Sequence, residues 1–377
     1  MEPITHFLTG ACIGRAGLNR KSAYATLAAV LAAEAADIDM LWGLRGPVEE
    51  LKHHRGITHT FIAVPVIAAV TVGAVWLLER WVQARKRRKL AASPPREPGA
   101  PLPTRFQSQP VRWGWLYLTA LIASLSHLWL DWTVNYGLRP FYPFNSHWNA
   151  GSFVFVAEPV LWALPLIALI VPWLLGLADA EIGARRKAFR GRGWAIFALT
   201  GMVLLWCWRW AEHAQALAMV NNLQITSAPV KRVAMEPYPG NPYRWHAILE
   251  TAEFYQTAEV NTWTGEIETD ARQDVLFKPP VTAATEAAKR TALGQVYLDW
   301  GSWAVVSDVG QKPVEAMDPP KLATNRTWTT VEFADLRFAY SYLGTGRRAG
   351  NAALSGWVYI VDGNDEAGEA LGGREQR

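Results

Sequence analysis

The chain has 377 residues, half of them hydrophobic, a formal net charge of +4 and only two cysteines, Cys12 and Cys207. Both cysteines lie inside apolar segments, which argues against a disulfide framework and a Cys-based metal site, and the charges form no direct nucleic-acid motif. The mean hydropathy of +0.02 hides a split: long apolar runs dominate up to about residue 214, and mixed, alternating sequence follows from about 220.

In chain order, residues 4–14 and 22–38 are Ala- and Leu-rich and apolar nearly all round, an N-terminal helical pair expected to be embedded. MEPITHFLTG has no basic leader and no cleavage site, so entry into a membrane is expected through the chain's own helices. Runs at 60–78, 113–133, 159–178 and 194–213 are long enough to cross a hydrocarbon core, which takes about 20 apolar residues. Many of the 20 tryptophans sit at the ends of these runs, where the membrane interface favours them.

Lys and Arg in the loops set the expected orientation. Segment 80–112, with a Pro-rich middle SPPREPGAPLP, and segment 183–193 are strongly basic and read as cytoplasmic, whereas loop 134–156 carries only Arg139. Residues 40–59 and everything after 214 then fall on the extracytoplasmic side. Beyond 220, RWHAILET (244–251), EFYQTAEVNT (253–262), QVYLDWGSWAVV (295–306), WTTVEFADLRFAYSY (328–342) and SGWVYIV (355–361) read as strands, and TAATEAAKRTAL (282–293) as one helix. The expected architecture is an α-helical polytopic membrane domain at 1–214, with four clear spans plus the N-terminal pair. A small extracytoplasmic β-rich domain follows at 220–363, and a disordered tail at 364–377.

The ionisable residues follow this topology. His6, Glu34, Asp37, Asp39, His53, His54, His59, His127, Asp131 and Glu158 all fall at the extracytoplasmic ends of their segments. Only Lys and Arg were used to orient the chain, so the coincidence carries information. SHLWLD puts His127 and Asp131 on one helical face. AADID supplies two carboxylates suited to a divalent cation. HHRGITH joins imidazoles to a turn-forming glycine and to Arg55, a planar donor for phosphate or carboxylate. Imidazole nitrogen and carboxylate oxygen from separate segments are how transition-metal sites are built. Zinc is the first expectation, with manganese or iron as alternatives, in a site of one or two ions.

MEPITHFLTGACIGRAG, AAEAADIDML, HHRGITHT, SHLWLDWTVNYGLRPFYPF and FVAEPVLW, in this order, resemble the YdjM-like family of inner-membrane metal-dependent hydrolases, also described as LexA-binding membrane-associated hydrolases. The resemblance covers about residues 1–180 and implies a metal-dependent hydrolase. By motif position its metal ligands would be His6, Asp37, Asp39, His54, His59, His127 and Asp131. The family often has Asp where this chain has Glu158.

The expected function is hydrolysis, by a metal-activated water, of a phosphoester or other ester in a membrane lipid or lipid-linked substrate. Asp39 or Glu158 would act as general base and Arg55 would hold the substrate's anionic group. Two rivals stand beside this reading. One is a membrane-anchored binding protein with a structural cluster, whose β-rich domain meets an envelope partner. The other is a transporter, against which no ionisable chain crosses the membrane midplane.

Overall fold

The computed structural model describes residues 1–91, 109–182, 190–223, 225–226, 228–270, 272–323, 325–339 and 353–376. The Pro-rich stretch of the basic segment lies outside them, as do Arg185, Arg186 and Lys187 and the end of the strand expected at 328–342.

Helices α1 (Pro3–Arg15) and α2 (Ala25–Glu34) form an antiparallel pair. The pairing follows from side-chain size. Gly10 and Gly14 of α1 lie four residues apart, and a Cβ on Gly14 would sit 2.5 Å from Thr26 Cα and one on Gly10 2.8 Å from the Ala29 carbonyl. Opposite them α2 buries Ala25, Ala28, Ala29, Ala32 and Ala33. Small residues of this kind let two helical backbones close up inside a membrane domain. A 3-10 stretch, Ala35–Arg45, carries the chain to the short helix α3 (Pro47–His53), and a second, Ile57–His59, leads into α4 (Ala63–Ala91). Residues 80–91, expected as part of a loop, extend α4; their Arg, Lys, Leu and Ala are strong helix formers.

Helix α5 (Trp113–Thr133) lies at the centre and packs on α1, α2 and α4, with α6 (Pro159–Glu181) and α7 (Arg192–Asn222) alongside α1. Among the described residues, three helices are long and apolar enough to cross a membrane: Ala63–Lys89, Pro159–Asp179 and Arg192–Asn222. Helix α5 is not among them because its buried face spends positions on Ser124, His127 and Asp131. The outer faces of α4 and α6 expose Val66, Val70, Leu77, Ile167 and Leu174, as a lipid-facing surface would.

Among the described residues, the C-terminal part holds two five-stranded antiparallel sheets. The first is built from β1 (Arg232–Pro237), β2 (Arg244–Glu250), β3 (Phe254–Asn261), β4 (Glu266–Glu268) and β5 (Val275–Phe277). The second runs β10-β9-β8-β7-β6, from β6 (Ala304–Asp308), β7 (Trp328–Asp335), β8 (Gly356–Val361), β9 (Asp365–Leu371) and β10 (Arg374–Glu375). Ile248, Tyr255, Trp303, Val305 and Ala334 form a buried cluster between the sheets. The first sheet also packs on α7 and the second on α3 and on the helices α8 (Ala283–Arg290) and α9 (Ala292–Trp300).

Three expectations are corrected here. The single helix at 282–293 is two helices, because Thr291 ends α8 and its hydroxyl caps α9 by accepting from Gly294 N–H. The strand expected at 295–306 is helical to Trp300 and extended only from Ala304, since Tyr297 and Trp300 are buried one helical turn apart. The tail at 364–377 is not disordered over 365–375. Asp362 and Gly363, both at positive φ, turn the chain, and β9 pairs with β8 from Asp365 to Leu371. Its polar composition misled because Glu369 is buried as an acceptor for Leu293 N–H.

The β-rich part sits on the end of the helical bundle that carries the ionisable cluster. Arg337 donates to the Asn135 carbonyl at 2.8 Å, Trp300 Nε1 to the Tyr136 carbonyl at 3.2 Å, and Arg374 to Glu50 at 2.7 Å. From the helical side, the buried Arg209 of α7 donates to the carbonyls of Tyr238 and Asn241.

Candidate metal centre

The centre forms where the C-terminal end of α5 meets the two 3-10 stretches and the start of α1. His127 and Asp131, one turn apart on α5, are fully buried. His127 Nδ1 lies 2.6 Å from the Ala33 carbonyl. A carbonyl only accepts, so Nδ1 carries the proton and Nε2 presents a lone pair. His59 Nδ1 lies 3.1 Å from Asp39 Oδ2 and 3.0 Å from Thr58 Oγ1. Since Thr58 itself donates to Asp39 Oδ2 at 2.7 Å, His59 Nδ1 is the donor and its Nε2 is the second lone pair.

These two Nε2 atoms are 3.0 Å apart. Asp131 Oδ2 lies 3.2 Å from each, and Asp37 Oδ1 lies 3.3 Å from His59 and 3.6 Å from His127. Asp131 Oδ2 is buried and, among the described residues, has no neighbour at hydrogen-bonding distance other than these two rings. Asp37, His59, His127 and Asp131 each offer one ligand atom, all within 4.8 Å of one another. Four acceptors facing one point repel unless a positive charge lies between them. Burial opposes charge on His59, but its pairing with Asp131, Asp37 and Asp39 raises its pKa to about 10, so without an ion a proton on its Nε2 supplies that charge. Burial likewise opposes charge on Asp37, whose contacts with His59 and His127 hold it at about 2. Two imidazole nitrogens and two carboxylate oxygens match a four-coordinate divalent transition metal.

The surrounding groups hold this set in place. Asp39 accepts from the Arg55 backbone N–H at 3.0 Å, from Thr58 and from His59, while its Oδ1 lies 3.0 Å from His54 Nδ1. Arg55 is buried at a positive φ of 54°. It donates to Asp131 Oδ1 at 2.8 Å and to the Gly137 carbonyl at 3.0 Å, and its guanidinium lies 4.7 Å from the centre of the Tyr136 ring. The Met1 amino group also contacts Asp131. His6 is fully buried, stacks on His127 with ring centroids 3.9 Å apart, and brings Nε2 to 3.4 Å from Asp131 Oδ1.

All seven residues expected as ligands thus lie in one contiguous cluster. Asp37, Asp39 and His54 form a second ligand-like group that shares Asp37 with the first. Of the residues expected to act on substrate, Asp39 and Arg55 belong to the cluster but are bonded to protein groups. Glu158 is engaged elsewhere: its carboxylate accepts from the backbone of Val160 and Gly240 and faces Arg209. His53 stacks on Trp42 and pairs with Glu49, outside the centre. Sequence reasoning missed Thr58, the Ala33 carbonyl and Tyr136. Thr58 and Tyr136 lie inside the quoted motifs, whereas nothing in the sequence marks one alanine carbonyl among many.

With this geometry in view, the chain matches the family described as YdjM inner membrane protein over residues 1–216. The chain belongs to the YdjM inner membrane protein family. The match covers the helices from α1 into α7 and stops there, before the two sheets. Comparisons with curated proteins and with solved structures give no match. In this member of the YdjM family, the residues that could hold a metal ion all lie within the matched span.

Proposed function

We propose that this protein is a multi-pass, metal-dependent hydrolase of the bacterial inner membrane. It acts at the extracytoplasmic face on a phosphoester or other ester of a lipid or lipid-linked substrate. The observation that carries the reading is the convergence of the His59 and His127 Nε2 atoms with one oxygen each of Asp37 and Asp131. A divalent ion held by these four, zinc by donor set and manganese or iron as alternatives, would need to take a fifth ligand, and would then polarise the ester and lower the pKa of a water toward 7.

The chain's own groups take the following parts. Asp39 orients the His59 ring and fixes its tautomer, an arrangement that raises ligand basicity. Its full set of hydrogen bonds favours this positioning part over the general-base part expected from sequence, and favours one ion over two. Arg55 holds the Asp131 carboxylate; being buried against it, Arg55 does not serve as the substrate's anion clamp. His54 is the exposed edge of the cluster, with 19% of its side chain accessible against 13% for Asp37. Its Nδ1 is taken by Asp39, which leaves Nε2 to pass a proton at the mouth of the site.

A structural cluster is the second reading, favoured by the burial of His59, His127 and Asp131. Turnover separates the two. Detergent-purified protein would be assayed on ester and phosphoester lipids with metal present and after chelation. Hydrolysis that needs the ion, and is lost in His54→Ala with metal and fold retained, supports the enzyme. No turnover across the set, together with unfolding on chelation, supports the structural cluster, leaving the β-rich part to bind an envelope partner. The orientation rests on the basic segments and is tested by reporter fusions. A periplasm-only reporter should be active after Arg377 and inactive within 80–112; the reverse pattern would invert the orientation.

A further inference from the structure

At the end of the bundle away from the metal centre, the structure contains a second feature that the hydrolase reading does not use. A hollow of about 600 Å³ opens between α1, α5 and α7. Its walls are apolar, from Ile13, Leu18, Ile122 and Leu199, and three cations border it, Arg20, Lys21 and Arg192. Among the described residues, no acidic side chain lines it. Arg192 Nε donates to the Ala16 carbonyl at 3.1 Å, and Lys21 lies 5.2 Å from the centre of the Trp115 ring.

Ile13 and Leu199 also line the neighbouring hollow, of about 770 Å³, whose walls include Leu125, Trp129, Val203 and Trp206. The two hollows therefore follow one another along the outer side of α5. Measured on α7 from Arg192 to Trp206, they extend about 21 Å at 1.5 Å per residue. One leaflet's share of a hydrocarbon core is about 15 Å. The groove thus has a cationic end and an apolar length more than sufficient for the hydrocarbon of one leaflet. It is bounded by α7, a helix long and apolar enough to cross a membrane.

We infer that this groove binds one anionic glycerophospholipid, its phosphate among Arg20, Lys21 and Arg192 and an acyl chain along Ile13, Ile122 and Leu199. Charge complementarity chooses the occupant. A zwitterionic lipid brings its own cation to a rim that already has three, whereas an anionic headgroup is attracted to basic pockets between membrane helices. The site stands apart from the metal centre, so it depends on the family's inner-membrane location and not on hydrolysis. A lipid held there would tie α1 to α5 and α7, and α1 carries His6.

The test is native mass spectrometry of the full-length protein in detergent, titrated with palmitoyl-oleoyl phosphatidylglycerol or with the phosphatidylcholine of the same chains. One bound phosphatidylglycerol per chain is expected at concentrations where phosphatidylcholine does not bind. Arg20→Gln with Lys21→Gln should weaken it about five-fold per cation removed. Ile122→Trp, at an exposed wall position and without change of charge, should abolish the adduct while metal content and circular dichroism stay as in the wild type. Equal binding of the two lipids would overturn the inference. So would an adduct that survives Ile122→Trp, since that would place the lipid on a general basic surface.

Discussion

The Nε2 atoms of His59 and His127 lie 3.0 Å apart, each on a ring whose Nδ1 is already committed, to Asp39 and to the Ala33 carbonyl. Two lone pairs at that distance, flanked by two carboxylates, are stable only around a positive charge. This pair suits the cluster to a metal ion more directly than the number of acids and histidines does.

Asp39 acts through His59 in this account. Asp39→Asn keeps the size of the side chain but weakens the acceptor of the His59 ring. Metal affinity should fall about 10–100-fold, the usual cost of losing a group that orients a ligand. Competition with a chromophoric chelator measures it. Unchanged affinity would remove Asp39 from the account.

Arg55 neutralises Asp131 inside the protein. Arg55→Ala leaves a buried carboxylate without its main cation and should cost about 3–5 kcal/mol of stability. Arg55→Lys should recover little, because an ammonium cannot bridge Asp131 Oδ1 and the Gly137 carbonyl as the planar guanidinium does. Thermal unfolding in detergent, followed by circular dichroism, checks both. A lysine variant as stable as the wild type would contradict the bridging part.

Close approach of α1 and α2 places His6 and the Ala33 carbonyl beside His127. Gly14→Leu should force the helices apart, since even a Cβ would sit 2.5 Å from Thr26 Cα. The melting temperature should drop by several degrees, and bound metal should fall with it. The comparison is Gly73→Leu, on α4, where nothing lies within 4 Å of an added Cβ. Equal tolerance at both positions would contradict the packing argument.

Glu236 of β1 is buried, and burial raises its pKa to about 8, against the lowering pull of Arg337. Asp335, Ser152 and Asn135 are the other groups that face it. A carboxyl whose folded pKa exceeds its unfolded value of about 4.5 contributes stability that is fully present below pH 4.5 and lost as the pH rises through 8. Stability should therefore fall between these limits by up to about 1.4 kcal/mol per pH unit. Glu236→Gln should flatten that slope. Parallel pH profiles of the two proteins would contradict it.

Much of the centre was legible because its residues sit in short motifs. HHRGITHT and SHLWLD place imidazoles and carboxylates at fixed offsets, and loop charge alone put them at one end of the bundle. The sequence did not assign their parts. Asp39 and Asp37 are both aspartates in AADID, and only the fold separates the one that orients His59 from the one that faces both rings. Arg55 read as a substrate clamp because its burial against Asp131 depends on the Gly137 turn 82 residues away. In the β-rich part, β9 went unrecognised because strand pairing across a three-residue turn overrode a polar composition.

The most direct test of the central claim is metal content by elemental mass spectrometry of the detergent-purified full chain, beside His127→Ala and Asp37→Asn, with fold checked by circular dichroism. The account predicts about one equivalent of a divalent transition metal in the wild type and its loss in both folded variants. A wild type without metal after metal-replete preparation would contradict it, as would variants that keep their full equivalent.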